Sequence, residues 1–144
     1  MNLQVIFRSR TLAEVKKHLE PFNFVRDIPL KQLRGHHLYV REAKYPRGTL
    51  IIGRVHKYAH VFYIVSGKIT IWDSTGKRTL TGPLLVESAA GIQRIGYAHT
   101  DVICMNMHGC AEPVAPTNDN AESYFTDEEQ TYIEGTCVKT SLLL

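Results

Sequence analysis

Gly53-Arg-Val-His-Lys-Tyr-Ala-His-Val-Phe-Tyr-Ile-Val-Ser-Gly67, continued by Lys68-Ile-Thr-Ile-Trp72, is the stretch from which the fold is read. Val61 to Val65 is a short apolar run of strand length, and Ser66-Gly67 after it is turn material. Lys68, Thr70 and Trp72 then alternate with Ile69 and Ile71, the two-residue period of a sheet with one buried face, up to a second turn at Asp73-Ser-Thr-Gly76. The pattern predicts a hairpin with a pair of histidines, His56 and His60, at its mouth.

Outward from the hairpin the same grammar continues. Thr49 to Gly53 leads in, Arg78 to Pro83 leads out to Leu84-Leu-Val86, and Val102 to Met107 supplies a last strand after turns at Ala89 to Arg94 and Tyr97 to Asp101. Between Phe22 and Leu50 the apolar residues come in short runs broken by Pro29, Gly35, Pro46 and Gly48, and Leu38 to Glu42 is the clearest strand there. Several short strands with turns between them predict an all-β sandwich or barrel. His36 and His37 are neighbours on an extended backbone, where successive side chains face opposite ways, so both are expected at the surface.

The two ends read differently. Leu3, Val5 and Phe7 alternate with polar residues and predict a short strand or extended arm, with Ile6 out of pattern. Thr11-Leu-Ala-Glu14 matches a capping box, and Leu12, Val15 and Leu19 follow at helical spacing up to Pro21. At the other end Ala111 to Ser123 is rich in Pro, Asn and Asp and reads as a linker; Thr126 to Glu129 is a second capping-box match that predicts a helix as far as Glu134. The terminal Leu142-Leu-Leu144 needs cover, from its own barrel or from a partner. The organisation expected is residues 1–24 as arm and short helix, 25–110 as the barrel, 111–123 as linker and 124–144 as helix and tail.

With 144 residues the chain has room for one domain with a real core. A net charge of +3, with the basic residues scattered, gives no nucleic-acid footprint. Cys104, Cys110 and Cys137 form no C-x-x-C pair, so free thiols are expected. There is no signal-peptide pattern and no apolar run of membrane-spanning length, so a soluble, non-exported protein is expected. A nucleophile elbow, a P-loop and a dinucleotide fingerprint are all missing from the sequence.

Gly53 to Gly67, Gly76, Gly82-Pro83 and Ala90-Gly91 to Arg94 resemble the paired motifs of the cupin superfamily, G-x5-H-x-H-x3,4-E-x6-G and P-x-G-x-x-H. The resemblance implies a double-stranded β-helix, or jelly roll. More narrowly, Leu33 to Arg41, Tyr45 to Lys57 and Ala90 to Ala98 are similar to small cupin-like proteins of tailed bacteriophages. Enzymes with the full pattern hold a divalent metal on three histidines and a glutamate. Carried over, the glutamate position falls on His60, the second histidine on His56, the first on Arg54 and that of the second motif on Arg94. Guanidinium cannot ligate.

This departure implies a pocket without metal or other cofactor, in which Arg54, His56, His60 and Arg94 converge on an anion such as phosphate or carboxylate. The competing expectation is that Arg54 and Arg94 pair with Glu87, Glu42 or Asp101 inside the barrel. His99 and His108 are further nitrogen donors, but nothing in the sequence places either beside His56. The functional expectation is a non-catalytic jelly roll, virion-associated or in the host cytoplasm, that binds copies of itself or other virion proteins. The alternative is a metal-dependent oxygenase or isomerase using His56 and His60 on a small polar substrate.

Overall fold

The computed structural model describes residues 3–19, 30–114 and 131–133. Among these described residues two helices, α1 (Leu3–Arg8) and α2 (Leu12–Leu19), precede nine strands. These are β1 (Leu30–Tyr45), β2 (Leu50–Ile52), β3 (His60–Ser66), β4 (Lys68–Asp73), β5 (Gly76–Thr81), β6 (Leu84–Ser88), β7 (Ile95–Ala98), β8 (Val102–Val114) and β9 (Thr131–Ile133). A four-stranded sheet in the order β1-β8-β3-β6 faces a five-stranded sheet in the order β5-β4-β7-β2-β9, and the pairings are antiparallel. This is the expected all-β jelly roll. No helix among the described residues is long and apolar enough to cross a membrane.

The hairpin at the centre of the sequence is β3–β4, turning at Gly67 with φ 95°. A side chain there would also meet the Asp101 carbonyl at 2.2 Å, so the turn requires glycine. The next turn is closed by Asp73, whose Oδ1 accepts from the Thr75 amide at 2.8 Å.

Alternation along the four-stranded sheet sends Tyr39, Arg41, Ala43 and Tyr45 of β1, Phe62 and Ile64 of β3, and Val102, Cys104 and His108 of β8 into the barrel. From the opposite sheet Ile51, Ile69, Ile71 and Ala98 meet them. A second core lies outside the barrel, where Leu3, Ile6, Val15 and Leu19 of the helices pack on Leu50, Trp72, Ile95 and Tyr97. Both faces of β4 are therefore buried, where the alternation predicted one.

Several sequence expectations are corrected. Residues 3–8 form a helix and not an extended arm, because Leu3, Ile6 and Phe7 also stand at helical spacing and the sheet offers that stripe a dry face. The Thr11 box caps α2 as expected: the Glu14 amide donates to Thr11 Oγ1 at 3.2 Å, while the Glu14 carboxylate reaches the Arg10 amide at 2.8 Å.

Ile95 to Ala98 is a strand, although its glycine and adjoining turn residues hide any alternation. β8 runs through Val114, past the expected end of the barrel, because β1 is long enough to pair His36 with Val114. Thr131–Ile133 is a strand on the open edge of β2 where helix was predicted; pairing with that edge prevails over the cap signal. The remaining expectations for the linker, the helix start at Thr126 and the leucine tail, together with Pro21, fall outside the described residues.

Candidate functional site

The barrel mouth is built by a loop and two strands. His60 opens β3, and His108 sits on β8 directly opposite Tyr39 of β1. Val61 pairs with Met107, so one step on, His60 and His108 are neighbours on the inward face, and His60 also pairs with Ser88 of β6. His56 comes from the loop between β2 and β3. Its amide donates to the Ile92 carbonyl at 2.9 Å and its carbonyl accepts from the Gly91 amide at 2.7 Å, so the loop is zipped to the turn before β7. The zip begins at Gly53, whose amide donates to the Arg94 carbonyl at 2.9 Å; a Cβ on Gly53 would stand 2.8 Å from that oxygen. Gln93 Nε2 also donates to the Gly53 carbonyl, at 2.9 Å.

The three imidazoles converge. The ring centroids are 4.2 Å apart for His56 and His60, 4.5 Å for His60 and His108, and 5.2 Å for His56 and His108. One nitrogen from each lies within 4.8 Å of the others, and His56 Nδ1 is 3.3 Å from His108 Nε2. His60 Nδ1 stands 3.0 Å from the Tyr58 carbonyl. A carbonyl only accepts, so Nδ1 carries the proton, and Nε2, buried and making no hydrogen bond of good geometry, presents a lone pair.

All three rings are buried and held neutral. Burial, then His60, His108, Arg41 and Arg94, lower the pKa of His56 to about 2. Burial, then His60 and Arg41, lower that of His108 to about 3. Burial lowers that of His60 too, against the Tyr58 carbonyl and Asn106.

Below the rings lies a cavity of about 60 Å³, lined on its polar side by Arg41, Arg54, His56, Arg94 and Asn106. Three of the four sequence-predicted residues thus share one cavity, and the fourth, His60, stacks on His56 above it.

Arg94 does not pair as expected with Glu87, Glu42 or Asp101. Its Nε lies 3.2 Å from Asp73 Oδ2, its Nη1 donates to Ser88 Oγ at 2.7 Å, and its guanidinium covers the Phe62 ring at 5.3 Å. The reason is register: Trp72 opposite Ile95 brings Asp73 beside Arg94. Asp73 is fully buried and takes Arg78 as well, at 2.9 Å. Burial alone would raise its pKa, but hydrogen bonds from Thr75 and Arg78 outweigh that and hold it ionised.

Sequence reasoning missed His108 and Arg41. The expectation that nothing sets His108 beside His56 is overturned by the pairing of β8 between β1 and β3. The available signal was the two-residue period Val102, Cys104, Asn106, His108, which puts the histidine on the same face as the core. Cys104, on that face, is inert: burial pushes its thiol up to about 12.

No protein-family model matches the chain, and no curated protein matches it by sequence. Solved structures do resemble it. Ectoine synthase from P. lautus is similar with a TM-score of 0.56 at 11% identity, over 78% of this chain and 81% of that one. KdgF from Halomonas sp. is similar with a TM-score of 0.51 at 15% identity, over 70% and 92%. An RmlC-like cupin from Methanocaldococcus jannaschii, described as a double-stranded β-helix, is similar with a TM-score of 0.50 at 9% identity, over 60% and 83%. Strand order, the facing sheets and these likenesses together show that the chain has the cupin fold.

Proposed function

We propose that the chain is a metal-dependent cupin enzyme in which His56, His60 and His108 hold one divalent transition-metal ion at the barrel mouth. The observation that carries this reading is the convergence of three buried, neutral imidazoles. The donor set suits the group: neutral imidazole is the ligating form, and His60 has its second nitrogen anchored on a carbonyl, as metal-binding histidines do. Two nitrogens about 2.0–2.1 Å from a tetrahedral ion stand about 3.3 Å apart, and His56 Nδ1 and His108 Nε2 are 3.3 Å apart. Such an ion would supply Lewis acidity toward an oxygen of a small bound molecule.

The arginines that argued against metal are answered in part. Asp73, buried beside Arg94, supplies the opposite charge that the sequence motif does not contain. The expectation of a non-catalytic virion protein rested on the degenerate metal motif together with end segments suited to docking, and His108 supplies a third nitrogen where that motif gave two. Ectoine synthase is an enzyme by name and shares the fold, which agrees with the reading; the residues carry it.

The test is elemental analysis of protein purified without a chelating tag and offered iron, manganese, nickel and zinc. About one ion per chain is expected, with at least a tenfold loss in His108→Ala. Metal-free wild-type protein, or full occupancy in His108→Ala, would overturn the proposal.

A further inference from the structure

Arg94 is held on three sides and open on one. Its Nε lies 3.2 Å from Asp73 Oδ2, its Nη1 donates to Ser88 Oγ at 2.7 Å, and the guanidinium covers the Phe62 ring. Nη2 is buried and has no hydrogen-bond partner. Asp73 has no room for it: Oδ1 accepts from the Thr75 amide and hydroxyl, and Oδ2 from Arg78 and from Arg94 Nε, which fills the positions that a carboxylate offers. Asp73 and Ser88 stand outside the lining of the cavity under the histidines, whereas Arg94, Phe62 and His56 belong to it. Nη2 is therefore the donor left on the cavity side. A buried donor without an acceptor is costly, and in a native protein it calls for a functional reason. The opposite wall is apolar, with Ile51, Ile69 and Ile71, and a cavity of about 60 Å³ admits a few heavy atoms.

We infer that Arg94 binds the substrate, and that the substrate is a small aliphatic carbonyl compound whose oxygen accepts from Nη2 while its carbon chain lies against Ile51, Ile69 and Ile71. The inference rests on the metal reading for the reaction and deepens it by naming the substrate class of the same site. The charge of Arg94 is already met by buried Asp73, so Nη2 lacks an acceptor and not a counter-ion. A carboxylate would bring a further buried negative charge to a cation that has its partner. A hydroxyl would bring a proton that needs an acceptor of its own, whereas a carbonyl only accepts. The bond is charge-assisted, and the three fixed contacts of the guanidinium hold the donor in place before the ligand arrives.

The test titrates butanone, sec-butanol and butyrate into zinc-loaded protein, with affinities from ligand-observed NMR, the infrared carbonyl stretch of butanone, and zinc content measured on the same samples. Butanone is expected to bind about tenfold more tightly than either of the others, and its stretch to fall below the value in water on binding. Arg94→Lys, which keeps a cation beside Asp73 but has no Nη2, should lose about tenfold in butanone affinity together with the frequency shift, and keep its zinc. Equal affinity for sec-butanol, preference for butyrate, an unshifted stretch, or no butanone binding by protein that holds zinc overturns the inference, and in the last case the metal reading stands. Butanone binding with the shifted stretch in protein that takes up no zinc supports the inference and discards the metal reading. The comparison of probes on wild-type protein decides the matter even if Arg94→Lys fails to fold.

Discussion

The two faces of the five-stranded sheet are built for different ends. On the outer face, under α1 and α2, the buried residues are Leu3, Ile6, Val15 and Leu19 against Leu50, Trp72, Ile95 and Tyr97, and the buried Trp72 Nε1 donates to the Ser9 carbonyl at 2.9 Å. On the inner face Ile51, Ile69 and Ile71 begin an equally apolar core, but toward the mouth it gives way to His56, His60, His108 and Arg41. Burying such groups works against stability unless their partners are excellent, and hydrocarbon of the same volume is often as good or better. The outer layer is thus explained by folding alone; for the mouth, the proposed metal supplies the reason that folding does not.

Trp72→Ala sets this contrast most sharply. Trp72 is completely buried and Phe7 stacks over it at a centroid distance of 6.2 Å, so the truncation should cost about 3–5 kcal/mol. His108→Leu in the metal-free protein replaces a buried polar ring with hydrocarbon of similar volume and should cost no more than about 1 kcal/mol. Urea unfolding of both metal-free variants decides the matter. A loss for His108→Leu as large as that for Trp72→Ala would make the histidine layer part of the structural core and remove the contrast.

Acid separates the two regions next. The folded-state pKa values of His56 and His108, about 2 and about 3, lie below the ordinary value of 6.5. Between those limits the unfolded chain binds protons that the folded chain refuses, so stability present above pH 6.5 is lost as the pH falls toward 3. Each histidine contributes a slope of up to about 1.4 kcal/mol per pH unit. Metal-free wild-type protein should therefore show a falling melting temperature below pH 6.5, and His56→Phe a shallower fall. Identical slopes in the two proteins would show that the mouth histidines titrate as exposed groups.

Much of this was legible in the sequence, and unevenly. The β3–β4 hairpin announced itself because Val61 to Val65 is a continuous apolar run with glycine at its end and alternation after it. Arg54, His56, His60 and Arg94 were found because they fall on motif positions that β2, β3 and β7 bring to one mouth. His108 was missed because its place depends on β8 lying between β1 and β3, a pairing across dozens of residues that no local pattern encodes. Arg41 was missed for a related reason: one charged residue in a strand reads as a surface residue until both faces of that strand are assigned. For residues 3–8 period two and period 3.6 both fit six residues, and the sheet face waiting for Leu3 and Ile6 decides for helix.

The weakest lever on the comparison is the cap of α2. Thr11 Oγ1 accepts from the Glu14 amide at 3.2 Å at an exposed helix start, so Thr11→Ala should cost about 1 kcal/mol in urea unfolding. α2 is also joined to the mouth: Lys16 Nζ donates to Gln93 Oε1 at 2.9 Å, and Gln93 Nε2 holds the Gly53 carbonyl at the foot of the His56 loop. That link runs through an exposed lysine, while the His56 loop is fixed by three backbone bonds to residues 91–94. Loosening the helix should therefore lower stability and leave zinc content unchanged. A parallel fall in zinc content would mean that the helical layer positions the histidines, and the two faces of the sheet would then have to be treated as one device.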